Sequence, residues 1–170
     1  TGVTVNLNTA GAQNVGGGLG SDTLVSIENV IGSSLVDNLI GNNQSNVLTG
    51  KEGDDQLTGN GGADTLYGNE GSDTFIQTAT AGDTTGDVID GGSEADTSRG
   101  NDTVDYSALS NANGIKVSLN DTGLANVTVA NSSNDHQLTN IENIIGSAGT
   151  DTIEGDSADN TLNGFSGTND

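Results

Sequence analysis

A period of nine residues runs through the first half of the chain. Five consecutive units cover residues 32–76 without a gap: GSSLVDNLI, GNNQSNVLT, GKEGDDQLT, GNGGADTLY and GNEGSDTFI. In every unit the first residue is glycine, the sixth is Asp or Asn, and the eighth is apolar. A fixed period this short predicts a solenoid, in which each unit packs only against its neighbours.

Each unit has the pattern of a turn followed by a short strand. Glycine supplies the positive φ that a tight turn needs, and Asn42, Asn60 and Asn69 can replace it because Asn tolerates left-handed geometry. The last three residues of a unit alternate outward, inward and outward. The inward residues form two facing ladders, one of Leu39, Leu57 and Phe75 and one of Leu48 and Leu66.

The units resemble the RTX, or hemolysin-type, calcium-binding repeats, whose consensus is G-G-x-G-x-D-x-U-x with U apolar. The resemblance implies an all-β fold, a parallel β-roll or β-solenoid with two units in each coil of about 18 residues and several Ca²⁺ ions between the turns of neighbouring coils. The implied ligands are Asp37, Asp55, Asp64, Asp73 and Asp151, with Asp87 and Asp102 as weaker candidates, and the turn glycines Gly32, Gly50, Gly53, Gly59, Gly62, Gly68 and Gly71.

The resemblance also implies how these residues pair. Asp55 would share one site with Asp37 and another with Asp73, whereas Asn46 and Asp64 would share a site on the opposite edge. Asn46 departs from the consensus, as does Asn160, and the lack of charge predicts weaker or empty sites there. Five surplus acidic residues are predicted to form a solvated face. These are Glu52, Asp54, Glu70, Asp83 and Glu94, and His136 is likewise predicted to be a surface residue without a role.

A longer repeat encloses the short one. Residues 27–33 (IENVIGS) recur as 141–147 (IENIIGS), and residues 2–8 (GVTVNLN) recur as 114–120 (GIKVSLN). The chain is therefore interpreted as an excerpt of a larger array. We divide it into a β segment leading into the first array (1–31), the nonapeptide array (32–76), degenerate repeats with an insertion and a β segment (77–145), and the start of a second array (146–170).

The segments outside the arrays read as half-buried strands. Residues 3–7, 115–119 and 126–130 alternate apolar and polar side chains. Residues 24–27 and 138–141 are predicted to return the chain to the coil register. We expect these segments to continue the solenoid rather than to pack beside it.

Charge and composition exclude several classes of protein. The chain of 170 residues has 24 acidic against 3 basic residues, a net charge of −21 that excludes nucleic acid as a partner. No apolar run is long enough for membrane insertion. With no Cys, one His and only 30% hydrophobic residues, the chain has neither disulfides nor a multi-histidine zinc site, and its core is thin. A hard, oxygen-seeking cation is the remaining means of holding it together.

The expected function is that of a calcium-binding structural or spacer module of an extracellular bacterial protein. The RTX resemblance implies type I secretion, folding on Ca²⁺ outside the cell, and a cell-surface host such as an adhesin or surface-layer protein. Expected partners are calcium ions, neighbouring repeats and, as an open alternative, extracellular polysaccharide. No H-E-x-x-H or G-x-S-x-G motif supports catalysis. Two alternatives stay open: an accessory module of a secreted epimerase, lyase, lipase or protease, and a glycan- or ice-binding solenoid.

Overall fold

The computed structural model describes residues 1–16, 18, 20–78, 85–92, 100–109, 114–120, 123–129 and 135–166. Within these ranges all regular elements are β-strands, and no helix is present that could cross a membrane. The strands are β1 (Thr4–Asn6), β2 (Asn29–Ile31), β3 (Asn38–Ile40), β4 (Val47–Glu52), β5 (Gln56–Thr58), β6 (Thr65–Glu70), β7 (Thr74–Ile76), β8 (Val88–Asp90), β9 (Thr103–Asp105), β10 (Ile115–Ser118), β11 (Leu124–Val129), β12 (Asp135–Thr139), β13 (Asn143–Ile145), β14 (Thr152–Glu154) and β15 (Thr161–Asn163).

The strands form two sheets that the chain visits alternately. The seven-stranded sheet has the order β1-β3-β5-β7-β9-β13-β15, and the eight-stranded sheet has the order β14-β10-β11-β12-β8-β6-β4-β2. From β2 to β9 every neighbouring pair is parallel, and each unit of nine residues supplies one strand. The predicted all-β roll of nonapeptide repeats is confirmed.

The core is one side chain thick on each sheet. In the seven-stranded sheet Leu39 pairs with Leu57 and Leu57 with Phe75, whereas Leu48 pairs with Leu66 in the eight-stranded sheet. All five side chains are fully buried. The two predicted ladders are therefore present, because the parallel register places each eighth-position residue beside the one that is two units away.

The turns of the third, fourth and fifth units place their second and fourth positions in the left-handed region. At the fourth position Gly53 has φ 118°, and a Cβ there would lie 2.7 Å from the backbone carbon of Leu35. At the second position Asn60 and Asn69 have φ of 71° and 76°, as predicted, whereas Asn42 is not among the residues with positive φ. Lys51 also has a positive φ, 99°. The sequence did not predict left-handed geometry here, because a Cβ disfavours it.

An antiparallel excursion interrupts the roll between β9 and β13. Strand β10 pairs antiparallel with β11, β11 pairs antiparallel with β12, and β12 then pairs parallel with β8. The three strands lie within the eight-stranded sheet, and β11 alternates exposed and buried residues along its length. The strands between the arrays thus continue the roll, but with β11 reversed between β10 and β12 rather than as further parallel coils. Ala130 of the predicted 126–130 strand lies outside the described residues.

The long repeat reappears in the pairing of the strands. Strand β1 pairs with β3 in the same register as β10 with β14, and β2 pairs with β4 as β13 does with β15. Equivalent strands occupy opposite sheets in the two copies. A half-turn about the roll axis exchanges the sheets in this way, so successive copies of the long repeat are related by a rotation as well as by a shift along the axis.

Candidate metal centre

The sixth-position aspartates form a continuous column along one edge of the roll. The backbone N–H of Asp37 donates to Oδ1 of Asp55, that of Asp55 to Oδ1 of Asp73, and that of Asp73 to Oδ1 of Asp102, each at 2.8 Å. The column ends where the N–H of Asp102 donates to Oε2 of Glu142 at 2.8 Å. The structure therefore brings together the predicted residues of this edge and adds Glu142 to them.

A second column runs along the opposite edge. The N–H of Asn46 donates to Oδ1 of Asp64 at 2.7 Å, and that of Asp64 donates to Oδ1 of Asp87 at 3.0 Å. The N–H of Asp87 donates to Nδ1 of His136 at 3.1 Å. A histidine thus occupies the place that a carboxylate holds elsewhere. Asp151 lies apart, in the turn before β14, and accepts from the N–H of Ile115 at 2.8 Å.

Each sixth-position carboxylate also packs against the glycine that opens its own unit. A Cβ on Gly50 would collide with Oδ2 of Asp55, and it would lie 3.0 Å from the carbonyl oxygen of Gly68 in the next coil. A Cβ on Gly68 would likewise collide with Oδ2 of Asp73 and lie 2.6 Å from the carbonyl oxygen of Gly91. The invariant first glycine is explained by this close approach, which brings carboxylate and carbonyl oxygens together.

Two carboxylate oxygens in this column have no hydrogen-bond partner among the described residues. Oδ2 of Asp55 and Oδ2 of Asp73 are both buried and unpartnered. A buried charged oxygen without a partner is costly, and a cation or a proton would remove that cost. The available donors are all oxygens, carboxylate and carbonyl, which is the ligand set that Ca²⁺ prefers. The residues present therefore fit the ion that the repeat type implies.

The pKa values of the column reflect the same unfavourable burial. Desolvation raises the pKa of Asp55 to about 6, and the hydrogen bond from Asp37 offsets part of that rise. Desolvation also raises the pKa of Asp73 and of Asp102 to about 7, with smaller contributions from neighbouring carboxylates. The stacked turns thus hold several acidic groups whose ionised form is disfavoured without a cation.

The carboxylates of Asp37 and Asp151 have different surroundings. The Ser33 backbone N–H and hydroxyl both donate to the Asp37 carboxylate. Ser147 does the same for Asp151, at 2.9 Å from its N–H and 2.7 Å from its Oγ. Serine at the second position thus provides hydrogen bonds that the turns of Asp55 and Asp73 lack. This distinction could have been found in the sequence, since GSS and GSA open these two units.

Asn46 is hydrogen-bonded through both ends of its amide. Its Oδ1 accepts from the N–H of Asn42 at 2.7 Å, and its Nδ2 donates to the carbonyl oxygen of Glu28 at 3.1 Å. The Asn46 amide N–H therefore occupies the carbonyl oxygen of Glu28, which could otherwise contribute to a cation site. Asn160 accepts from the N–H of Asp156 at 2.9 Å in the corresponding turn of the long repeat.

His136 is not a surface residue, and that prediction was wrong. Its side chain is buried, its Nδ1 lies 3.5 Å from Oδ2 of Asp87, and its ring packs edge-on against Tyr106 with centroids 5.9 Å apart. The polar residues around it in sequence hid this burial, because β12 turns His136 and Leu138 inward on alternate positions. The match between residues 27–33 and 141–147 did not reveal the role of Glu142, because the equivalent Glu28 is exposed.

The acidic residues predicted to form a solvated face are exposed wherever the structure describes them. Glu52, Asp54 and Glu70 are exposed, whereas Asp83 and Glu94 lie outside the described residues. Oδ1 of Asp54 accepts from the N–H of Ser72 at 2.8 Å, so this residue stabilises the turn of the next coil. Across the described part of the chain, no three His, Cys, Asp or Glu side chains converge on one point. A cation in these turns must therefore draw on backbone carbonyls as well.

Comparison with known proteins agrees with this geometry. A family model of the RTX calcium-binding nonapeptide repeat matches four copies, over residues 40–75 and 140–170. A comparison with curated proteins found no match. The first range contains the glycine-opened turns of Asp55, Asp64 and Asp73, and the second contains the turns in which Gly146 packs against Asp151 and Gly155 against Asn160. Residues 40–75 and 140–170 therefore match the RTX calcium-binding nonapeptide repeat.

Proposed function

We propose that the chain is a structural module that folds when calcium enters its turns, within a bacterial protein secreted to the cell surface. The observation that carries the proposal is a pair of buried oxygens, Oδ2 of Asp55 and Oδ2 of Asp73, beside carbonyl oxygens of the neighbouring coil. Neither has a hydrogen-bond partner in the part of the chain that the structure describes. A bound Ca²⁺ would supply the positive charge that these oxygens lack. The RTX repeats support calcium as the ion and an extracellular location in general.

The ligands are assigned turn by turn. We assign one site to Asp37 and Asp55 and one to Asp55 and Asp73, completed by carbonyls of the turn glycines Gly32, Gly50, Gly53, Gly68 and Gly71. On the opposite edge we assign Asp64 with Asp87 and the carbonyls of Gly59 and Gly62. Asp102 continues the first edge after Asp73, and Asp151 lies further along the roll. Asp37 and Asp151 would bind more weakly than Asp55 and Asp73, since serine donors already stabilise their carboxylates.

The net charge of the chain explains why it would fold only where calcium is abundant. At a net charge of −21 the chain repels itself, and its apolar content is too low to offset the entropy of folding. In the low calcium of the cytosol it would stay unfolded, as type I secretion requires. Millimolar calcium outside the cell would neutralise the turns and drive folding.

A spacer in an adhesin or a surface-layer protein is the host function that the repeats favour. The long repeat builds the same strand pairings twice, which suits a module used in series. An ice-binding face would need a regular outward ladder, but the outward seventh positions are irregular. They are Asn38, Val47, Gln56, Thr65 and Thr74. An accessory role beside a catalytic domain would use the same calcium chemistry.

Calorimetric titration of two neighbouring aspartates tests the ligand assignment. Asp55→Asn removes charge from two sites and should sharply raise the calcium concentration needed for folding. Asp54→Asn removes the same formal charge from an exposed side chain and keeps an oxygen that can accept from Ser72, so it should have little effect. Equal effects of the two substitutions would mean that charge density, rather than the nine-residue register, binds the ion.

The converse substitution tests the second edge. Asn46→Asp replaces the amide that donates to Glu28 with a carboxylate opposite Asp64. This variant should bind one more calcium ion, or bind calcium more tightly, than the parent chain. An unchanged stoichiometry and affinity would contradict the assignment of this turn.

A further inference from the structure

The two sheets fall out of step where the antiparallel excursion enters the roll. In the seven-stranded sheet β13 and β15 are direct neighbours, whereas β10 and β11 lie between β12 and β14 in the eight-stranded sheet. Neighbouring strands lie about 4.8 Å apart, so β12 and β14 are separated by roughly 14 Å where β13 and β15 are separated by about 5 Å. The turn from β12 to β13 and the turn from β14 to β15 must therefore diverge.

The first of these two turns is also unusually short. It consists of residues 140–142 alone, whereas the turn from β14 to β15 consists of residues 155–160. The longer turn therefore projects beyond the shorter one. Together with the divergence of the turns, this leaves a groove of about 630 Å³ along one edge of the roll. We call it the edge groove.

The edge groove is enclosed by segments from the interior of the roll. It lies between residues 100–101 on one side and residues 156–159 on the other, with the short turn at its base and the end of the β10–β11 hairpin beside it. A further coil stacked on β14 and β15 would lie on the far side of residues 155–160. The groove is thus a product of the excursion and does not depend on what adjoins the roll.

The edge groove has an apolar floor and an acidic rim. Four of its lining side chains are apolar and buried, and three are carboxylates that reach the surface or are only half-buried. The apolar residues are Leu119, Ala125, Leu138 and Ile141, and the acidic residues are Glu142, Asp156 and Asp159.

Two of the rim carboxylates are held in place by the backbone. Glu142 accepts from the N–H of Asp102 at 2.8 Å through Oε2, and Asp156 accepts from the N–H of Ala158 at 2.8 Å through Oδ1. A carboxylate has a second oxygen that can accept from a ligand. Because these side chains are already ordered, a ligand would not have to pay for fixing them.

The lining excludes several classes of ligand. None of the residues that line the groove in the described part of the chain is basic, so an anionic ligand would be repelled. None of them is aromatic, so they form no cage for a quaternary ammonium group. A polyamine would bind the acidic surface at large, since the chain has a net charge of −21, and would not need this groove. The described side chains do not form a carboxylate cluster for a bare metal ion either.

We propose that the edge groove binds a short stretch of a neutral polysaccharide. The sugar hydroxyl groups would donate to the carboxylates of Glu142, Asp156 and Asp159, and the C–H faces of the sugar rings would lie on the apolar floor. A saccharide is uncharged, rich in donors and partly apolar, which matches the lining on all three counts. This binding adds an activity to the proposed structural module, and it requires only that the roll is folded.

Titration with neutral trisaccharides in millimolar calcium, followed by proton–nitrogen correlation NMR, tests the proposal. The probes are maltotriose, cellotriose, mannotriose and tri-N-acetylchitotriose. At least one of them should shift the backbone signals of residues 140–142 and 156–159 in the parent chain. The signals of residues 50–55, in a turn of the nonapeptide array, should not move.

Two substitutions on the rim should weaken the response. Asp159→Ala removes one acceptor and should weaken binding about tenfold, the loss expected for a hydrogen bond to a charged group. Ala158→Trp places a large ring at the exposed side of the groove and should abolish binding. The matched controls are Asp22→Ala, an exposed aspartate near β1, and Ala148→Trp, an exposed alanine in the turn before β14. Both should bind like the parent chain.

Three results would overturn the proposal. They are the absence of shifts at the groove with all four sugars, an equal loss of binding in Asp159→Ala and Asp22→Ala, and a response of the groove to spermidine but to none of the sugars. Circular dichroism in calcium checks that each variant is folded, and Asp159→Ala carries the test if Ala158→Trp is not. A chain that folds without calcium would contradict the proposed function, but a sugar response at the groove would still support this site.

Discussion

Asp55 connects three successive turns of the roll through different atoms. Its Oδ1 accepts from Asp37, its backbone N–H donates to Asp73, and its Oδ2 faces Gly50 with no hydrogen-bond partner among the described residues. Alanine at this position would remove the first and third of these functions. The sixth position therefore needs a short side chain with two oxygens. Asn46 meets the steric requirement but supplies an amide donor in place of the second oxygen.

Lys51 carries backbone strain that a single substitution should relieve. It has φ 99°, in a region where a Cβ is disfavoured and where the repeat consensus has glycine. Lys51→Gly should raise the free energy of unfolding in saturating calcium by about 1 kcal/mol, the lower end of the cost of such strain. Denaturant unfolding of the variant measures the change.

Lys51→Gln is the matched control for the lost positive charge. It keeps the Cβ and therefore the strain, so it should leave stability unchanged or lower it slightly. If both variants were stabilised equally, the cause would be charge rather than backbone conformation.

At the scale of the strands and turns, the stacked carboxylates should make the metal-free chain sensitive to pH. Burial raises the pKa of Asp55 to about 6 and those of Asp73 and Asp102 to about 7, above the ordinary value of 3.8. Between pH 3.8 and about 7 the folded state therefore binds more protons than the unfolded state. The free energy of unfolding falls as pH rises through this range. In the presence of chelator, the chain should retain more β-structure at pH 5 than at pH 8.

Circular dichroism at the two pH values measures this effect. Asp73→Asn should reduce the difference between them, because it removes one of the titrating groups. Equal β-content at pH 5 and pH 8 in the parent chain, or more at pH 8, would contradict the account of the column. With calcium bound, the β-content at pH 8 should equal that at pH 5, because the ion stabilises the carboxylates that protons stabilise at the lower pH.

The strands of the nonapeptide array could be predicted from the sequence, whereas the antiparallel excursion through β10, β11 and β12 could not. The nine-residue register determines which residues pair, so the ladder through Leu57 and the first-position glycines followed from the sequence alone. The direction of β11 did not follow, since alternating side chains suit a parallel or an antiparallel strand equally. The burial of His136 depends on that direction and on pairing with a strand 49 residues earlier, because its partner is the N–H of Asp87. No local pattern contains such long-range information.

At the scale of the whole molecule, the exchange of sheets between copies determines how an array would look. Each copy of the long repeat would be turned by half a revolution, so the antiparallel excursions of successive copies would lie on opposite sides of the roll. Nothing in the period of nine predicts this, because the exchange depends on how many strands lie between the copies. The sequence repeat alone predicts a solenoid, and therefore an extended rod, but not the rotation between copies.

Small-angle scattering on a protein with two long repeats in tandem should reveal that rod. Strands in a sheet lie about 4.8 Å apart, so each repeat should add roughly 30 Å to the length while the cross-section stays constant. A protein with a single long repeat provides the reference length. A compact particle of doubled volume and unchanged maximum dimension would contradict the rod.

The dependence of folding on calcium is the central claim, and circular dichroism with chelator tests it most directly. Removing calcium at neutral pH should leave the chain largely disordered, because a net charge of −21 and a core one side chain thick cannot hold the roll together. Millimolar calcium should restore β-structure and reduce the hydrodynamic radius. Magnesium should substitute poorly, since it gives up its water reluctantly and requires near-octahedral geometry. A spectrum unchanged by chelation would contradict the account.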